Sequence, residues 1–261
     1  MMIKKDINMI ASVIAHHQKK AVELEKITSK YLDITLEDAY LIQKEYIAKA
    51  IEAGDQSVGW KMGLTSLAKQ RSVGVNQPIY GRLLKSMEIT GEILNLKGLI
   101  HPRVEPELAF FVKKELKGPN VQEQDVWEAT GCIAPALEVI DSRYKDFSFS
   151  HMDVVADNAS SARFILSGLS LPPGQYNWDE IDVVMKKNNR VVQEGRSSAV
   201  LGHPVQSIIK LVHMLAVSGL GIEPGSWVLT GGMTEAVQVE NGDHLSIEFC
   251  GLDTMQVHVR P

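Results

Sequence analysis

Two stretches near the start of the chain carry apolar positions at helical spacing. In the first, Ile7, Ile10, Ala11 and Ile14 share one face, and Asp6 stands where a helix cap would. His16, His17, Lys19 and Lys20 collect near the C-terminal end, where the helix dipole favours positive charge. In the second, Thr35 and Asp38 have capping-box spacing, and the stripe Leu36, Ala39, Tyr40, Gln43, Ile47 and Ala50 runs on to a stop at Gly54. Residues 1–57 are therefore predicted to form a helical lobe.

From Val58 the pattern shortens to β-like runs: Val58 to Leu64, Glu105 to Val112, Ala136 to Ile140, Ile181 to Lys186, and several beyond Trp227. Asn188-Asn189 is predicted to close a hairpin between Val183-Val184-Met185 and Val191-Val192. Asn241-Gly242-Asp243 is predicted to join Val237 to Val239 with Leu245 to Phe249 in the same way. One further helix is expected from His203 to Ser218, with Pro204 in its first turn, Ile208, Leu211, Val212 and Leu215 on its stripe, and Gly219 as its stop. The chain has no internal repeat, no regular βαβ alternation and neither of the glycine-rich phosphate motifs, which argues against Rossmann and P-loop domains. The expected fold is α+β, a largely antiparallel sheet core over 58–261 that forms one structural unit with the helical lobe.

A length of 261 residues suffices for one large core, and 44% apolar with 23% charged residues excludes disorder. The net charge of −5, with no interleaving of Lys/Arg and aromatic residues, speaks against nucleic-acid partners. The N-terminus is polar, and no run approaches the ~18 apolar residues that suggest a membrane span. The expectation is a soluble, cytoplasmic protein. Cys132 and Cys250 form no C-x-x-C pair and are expected to be small buried apolar residues.

The chemistry concentrates in His101-Pro102-Arg103-Val104-Glu105-Pro106-Glu107, which leads into the apolar run Leu108 to Val112. Residues i and i+2 of a strand project to one face, so Glu105 and Glu107 point together and repel unless a cation lies between them. Glu138 stands among Ala136, Leu137, Val139 and Ile140, where an unpaired ionised group is costly. Three carboxylates suit a hard cation, Mg²⁺ or Mn²⁺. The plainer alternative puts Glu105 and Glu107 on a solvated strand face, with Glu138 paired to Arg143. Lys61 is the one charge in Val58 to Thr65: either an edge residue snorkelling to water or a cation facing the carboxylates. Asp157-Asn158-Ala159-Ser160-Ser161 is a polar cluster between apolar runs, a plain turn or a binding loop.

Taken together, Lys61 to Ser66, Gly74-Val75 through Pro78-Ile79-Tyr80-Gly81, His101-Pro102 with Glu105-Pro106-Glu107, Glu138 to Tyr144, Val155 to Ser161, Leu201-Gly202-His203-Pro204 and Thr230-Gly231-Gly232 resemble the 2-keto-4-pentenoate hydratase / 4-oxalocrotonate decarboxylase family of the fumarylacetoacetate hydrolase superfamily. The resemblance runs in order over nearly the whole chain. It implies a curled mixed sheet with a helical N-terminal lobe, and Mg²⁺ or Mn²⁺ held by Glu105, Glu107 and Glu138. It also implies an active-site Lys61 and a binding-loop Ser160. The family's hydratases resemble P-D-F-G where this chain has Pro78-Ile79-Tyr80-Gly81, and the apolar Ile79 places the sequence nearer the decarboxylase branch. Its implied reaction is decarboxylation of 2-oxo-3-hexenedioate in aromatic meta-cleavage catabolism. Arg143 is expected either to bind the distal carboxylate of that substrate or to be a structural partner of Asp141. The rival readings are hydration of 2-hydroxypenta-2,4-dienoate and a non-catalytic metal-binding scaffold. Expected partners are a dicarboxylic 2-oxo acid, further copies of the chain in a homo-oligomer, and the pathway hydratase.

Overall fold

The apolar stripe of the first helix is buried as the spacing predicts, in a computed structural model that describes residues 2–66, 70, 71, 75 and 77–261. Helix α1 (Lys4–Lys20) buries Ile7, Ile10, Ala11 and Ile14. It starts earlier than expected: Ile3 is the N-cap and Asp6 lies inside the first turn, where it complements the dipole without capping. Helix α2 (Leu36–Glu52) has the predicted capping box, with Asp38 N donating to Thr35 Oγ1 and Thr35 N to Asp38 Oδ2, both at 3.1 Å. The Gln43 amide on its buried face donates to the carbonyls of Tyr80 (2.9 Å) and Val155 (2.8 Å), tying the lobe to the sheet and to the helix beneath the site. The apolar face shared by α1 and α2 continues into Ile79, Leu83, Ala109, Ala136, Phe164 and Leu229 of the sheet.

The strands in chain order are β1 (Ser57–Gly63), β2 (Ile79–Leu84), β3 (Glu88–Ile89), β4 (Ile93–Asn95), β5 (Arg103–Val112), β6 (Leu116–Lys117), β7 (Thr130–Ile140), β8 (Ser161–Leu166), β9 (Asp182–Lys187), β10 (Arg190–Arg196), β11 (Gly221–Ile222), β12 (Ser226–Leu229), β13 (Val237–Gln238), β14 (His244–Phe249) and β15 (Asp253–Arg260). Helices α3 (Glu123–Ala129), α4 (His151–Ala156) and α5 (Pro204–Ala216) follow along the chain, with short 3-10 turns between elements. A curled eight-stranded sheet runs β2-β1-β12-β5-β7-β8-β3, with β13 joined to one end of β5. A five-stranded sheet runs β10-β9-β14-β15-β4, and β11 pairs with β6. Antiparallel pairing prevails; β1 with β12, β3 with β8 and β4 with β15 are parallel. One face of the large sheet, with Trp60, Met62, Leu108, Phe110, Leu137 and Val228, packs into a core shared with α5 and the second sheet. The other face meets the N-terminal helices and carries Lys61, Glu105, Glu107 and Glu138.

Asn188 and Asn189 both have positive φ (52° and 64°), as a two-residue turn twisted to match its strands requires, and β9–β10 is the expected hairpin. The second expected hairpin does not form. Val237 and Gln238 pair with Val104 and Arg103 of β5, whereas β14 pairs with β9 and β15, so Asn241-Gly242-Asp243 carries the chain from one sheet to the other. Helix α5 is capped by the His203 ring, which accepts from Val205 N at 3.1 Å, and Gly219 beyond it adopts φ +70°. By length and composition, 197–216 is apolar enough to cross a membrane, contrary to the expectation above. In the fold, Val205, Ile208, Leu211, Val212 and Leu215 of this stretch are core residues. The cysteines also depart from expectation, since Cys132 is half-buried and Cys250 exposed.

Candidate metal and substrate site

Strand register assembles the three carboxylates. Glu105 and Glu107 project to one face of β5, and Glu138 of β7 lies directly opposite Glu105. Opposite Glu107 is Ala136, and the next pair on this face is Ala109 with Ala134, so the acids have small neighbours. One carboxylate oxygen from each of the three lies within 4.8 Å of the others. All three side chains are buried, Glu107 and Glu138 completely, which overturns the solvated-face alternative. Burial, then the neighbouring carboxylates Glu138 and Glu105, push the Glu107 carboxyl well above its usual range. Burial also raises Glu138, with Lys61 opposing.

Lys61 faces the acids and does not snorkel. It is 2% exposed, and its Nζ lies 3.0 Å from Glu138 Oε2 and donates to the Ala159 carbonyl at 3.1 Å. Three carboxylates and one ammonium sum to −2 when ionised, the charge a divalent cation neutralises. Glu107 Oε1 and Glu138 Oε1 are buried without a hydrogen-bond partner among the described residues. Oxygens so placed are costly unless they ligate something, and the donor set is that of a hard cation.

The far side of the site is closed by a segment to which sequence reasoning gave no role. Between the stretches paired to β12 and β13, β5 has no strand neighbour on that side among the described residues, and residues 230–233 fill the interval. Thr230 N and Oγ1 both donate to Leu108 O, Met233 N donates to Pro106 O, and Gly231 N donates to Glu107 Oε2 at 2.8 Å. Gly231 has φ +112°, and a Cβ there would stand 2.1 Å from Thr65 Oγ1, so only glycine fits. Thr65 Oγ1 is itself buried without a hydrogen-bond partner among the described residues. The one available signal was the Thr-Gly-Gly triplet directly after an apolar strand.

Ile79 opens β2 opposite Gly63, on the face that carries Lys61. A Cβ at Gly63 would meet Ile79 Cγ1 at 3.2 Å and Lys61 Nζ at 3.5 Å, so the apolar side chain and the ammonium flank the same space over Gly63. Ser160 lies in the turn that follows α4, and its Oγ is buried without a hydrogen-bond partner among the described residues. Arg143 lies with neither Glu138 nor the Asp141 carboxylate. Its guanidinium is enclosed, with Nε on Asp157 Oδ1, Nη1 on the carbonyls of Asp141 (2.8 Å) and Ser161 (3.3 Å), and Nη2 on the Asp157 carbonyl. Burial pushes Asp157 up to about 6 against the opposing pull of Arg143. The arrangement is a clamp on the 157–161 turn. Asp141 instead holds the approach to β5, accepting from Ile100 N (3.0 Å) and His101 N. A cavity of about 760 Å³ lies on the reverse face of β1 and β2, against α2 and the end of α5, and is lined by Tyr40, Trp60, Tyr80 and Arg82. It is separate from the carboxylates.

The pattern of the fumarylacetoacetate (FAA) hydrolase C-terminal family matches residues 72–260. The chain belongs to this family. It is 40% identical over 253 residues to a 4-oxalocrotonate decarboxylase of Pseudomonas putida, covering 97% of this chain and 96% of the relative. It is 34% identical over 242 residues to a 2-hydroxyhexa-2,4-dienoate hydratase of Comamonas testosteroni, covering 92% of each. The solved 4-oxalocrotonate decarboxylase from Pseudomonas putida G7, complexed with magnesium and adipate, matches with a TM-score of 0.97 at 37% identity over 99% of both chains. The resemblance read from the motifs is thereby established, and with it an enzyme of the fumarylacetoacetate hydrolase fold with a site for a divalent metal.

Two measurements follow from this geometry. Arg143→Ala should destabilise the protein by about 3–5 kcal/mol in chemical denaturation, because Asp157 is left buried and unpaired. An arginine that served only the substrate would instead raise KM at unchanged stability. The second concerns pH. Glu107 and Glu138 bind protons more tightly folded than unfolded, so ionising them costs the metal-free protein stability as pH rises above the ordinary glutamate value of 4.5. Bound metal offsets that cost. The Tm gap between Mg²⁺-saturated and metal-free protein should therefore widen from pH 5 to pH 8; a gap independent of pH would contradict the assignment.

Proposed function

We propose that this chain decarboxylates 2-oxo-3-hexenedioate (4-oxalocrotonate), giving CO₂ and 2-hydroxypenta-2,4-dienoate, in aromatic meta-cleavage catabolism. The observation that carries this reading is Ile79, a buried apolar side chain flanking the same space as Lys61, where addition of water calls for a base. The 40% identity to 4-oxalocrotonate decarboxylases supports it. A cytoplasmic enzyme, active as a homo-oligomer and able to associate with the pathway hydratase, belongs to the same reading.

In this reaction the C5–C6 bond breaks and its electron pair moves through C4 and C3 into the 2-oxo group, leaving CO₂ and a dienolate whose oxygen takes a proton. Glu105, Glu107 and Glu138 would hold the metal, and Mg²⁺ or Mn²⁺, when bound, supplies a Lewis acid for the developing negative charge. Lys61 Nζ, fixed by Glu138 Oε2 and the Ala159 carbonyl, adds positive charge beside that charge and is the group placed to hold the proton. Ser160 Oγ, which has no hydrogen-bond partner among the described residues, orients the substrate. Ile79 keeps its wall of the site dry, which favours conversion of a charged carboxylate into neutral CO₂. Arg143, consumed by its own loop, takes no part in substrate binding.

A second reading, hydration of 2-hydroxypenta-2,4-dienoate at the same residues, is supported by the hydratase relatives, such as that at 34% identity. Direct measurement of CO₂ from the dicarboxylate separates the two. We expect release with Mg²⁺ and a loss of at least about 100-fold in excess chelator or in Glu107→Gln with its fold retained. Full activity in chelator would remove the metal from the mechanism. Efficient hydration of the dienoate without CO₂ from the dicarboxylate would establish the second reading. Ile79→Asp should lose decarboxylation by about 100-fold, because it places a desolvated carboxylate against an anionic substrate. Unchanged CO₂ release by that variant would show that Ile79 does not border the reacting carbons.

A further inference from the structure

Asn158, Ala159 and Ser160 are three consecutive non-glycine residues in the left-handed region, with φ of 51°, 52° and 57°. Such backbone persists only where its surroundings over-determine it. From one side the Arg143–Asp157 clamp holds the turn, with Ser160 N donating to Asp157 O at 3.0 Å. From the other side a single buried amide does so. Asn158 Oδ1 accepts from Arg82 N at 2.7 Å, and Asn158 Nδ2 donates to Arg82 O at 2.9 Å. Strand β2 is an edge of the large sheet, so this amide fills the place that one peptide unit of a neighbouring strand would take. Gly81 permits the approach, since a Cβ there would stand 2.6 Å from Asn158 O.

What the turn delivers is functional under the reading given above. Its Ala159 carbonyl takes a hydrogen bond from Lys61 Nζ, and its Ser160 Oγ is buried with no hydrogen-bond partner among the described residues. We infer that Asn158 is a positioning residue: its two-point bond to the Arg82 backbone sets where the Ala159 carbonyl holds Lys61 and where Ser160 Oγ points. The metal ligands stand on β5 and β7 and are placed by strand register, outside this turn. Loss of the amide therefore affects turnover separately from metal binding.

The test uses Asn158→Asp, which keeps the acceptor and loses the donor, together with Asn158→Ser and Gly81→Ala, which disturb the same contact by other means. Turnover is measured on whichever substrate, the dicarboxylate or the dienoate, the wild-type chain consumes. Failure of the decarboxylase reading thus appears in the wild type, and failure of this inference in the variants alone. Mn²⁺ binding by the substrate-free protein is measured by calorimetry, and Tm is recorded alongside. The expected result is a fall in kcat of at least 30-fold, with KM and Mn²⁺ affinity each within about threefold of wild type in the variants that fold. Unchanged kcat in the folded variants overturns the inference. So does a kcat that falls only together with Mn²⁺ affinity and Tm, including variants too unstable to purify, because the bond would then serve stability alone.

Discussion

Mutual repulsion of three carboxylates buried on one sheet face is the constraint around which the rest of the molecule is arranged. Glu105, Glu107 and Glu138 are brought within a few ångströms by the β5–β7 register, away from the water that would otherwise screen them. Isolated, this would be a strongly unfavourable arrangement. Its compensation is partial within the chain: Lys61 pairs with Glu138, and Gly231 N donates to Glu107. The charge that remains is what a divalent cation neutralises, so metal affinity and the instability of the metal-free site have one origin.

Around this centre, pieces far apart in sequence are joined through backbone groups more than through side-chain pairs. The 230–233 segment occupies the interval on β5 between β12 and β13, and the close approach of Gly231 to Thr65 brings a third part of the chain to the same place. The 157–161 turn is held by Arg143 on one side and by Asn158 against Arg82 on the other. Backbone amides and buried guanidinium contacts reorganise little, which suits a site that must hold charge in a dry environment.

Much of this was legible along the chain. The Thr35 and Asp38 capping box, the buried faces of α1 and α5, and the Asn188-Asn189 turn all form as the patterns indicate. So do the shared orientation of Glu105 and Glu107 and the burial of Glu138 and Lys61. Three pairings considered from nearness in sequence give way to longer-range ones in the fold. Glu138 pairs with Lys61 and not with Arg143, five residues away. Arg143 takes Asp157 and not the nearby Asp141 carboxylate. Val237 joins β5 and not the strand beyond its own turn.

The sequence by itself determined the local elements, the pair of carboxylates on one strand face and the hardness of the cation they suit. Each of these depends on groups within a few residues of one another: helix and strand periodicity, cap spacing, and ligand chemistry. Only the tertiary structure decided that Glu138 stands opposite Glu105, that Thr230 to Met233 fill the interval on β5, and that an asparagine amide completes the edge of β2. Those are matters of strand order and register, settled by which apolar faces bury each other across the whole core. A short pattern cannot carry them, because identical local sequence is compatible with several long-range pairings until the core selects one.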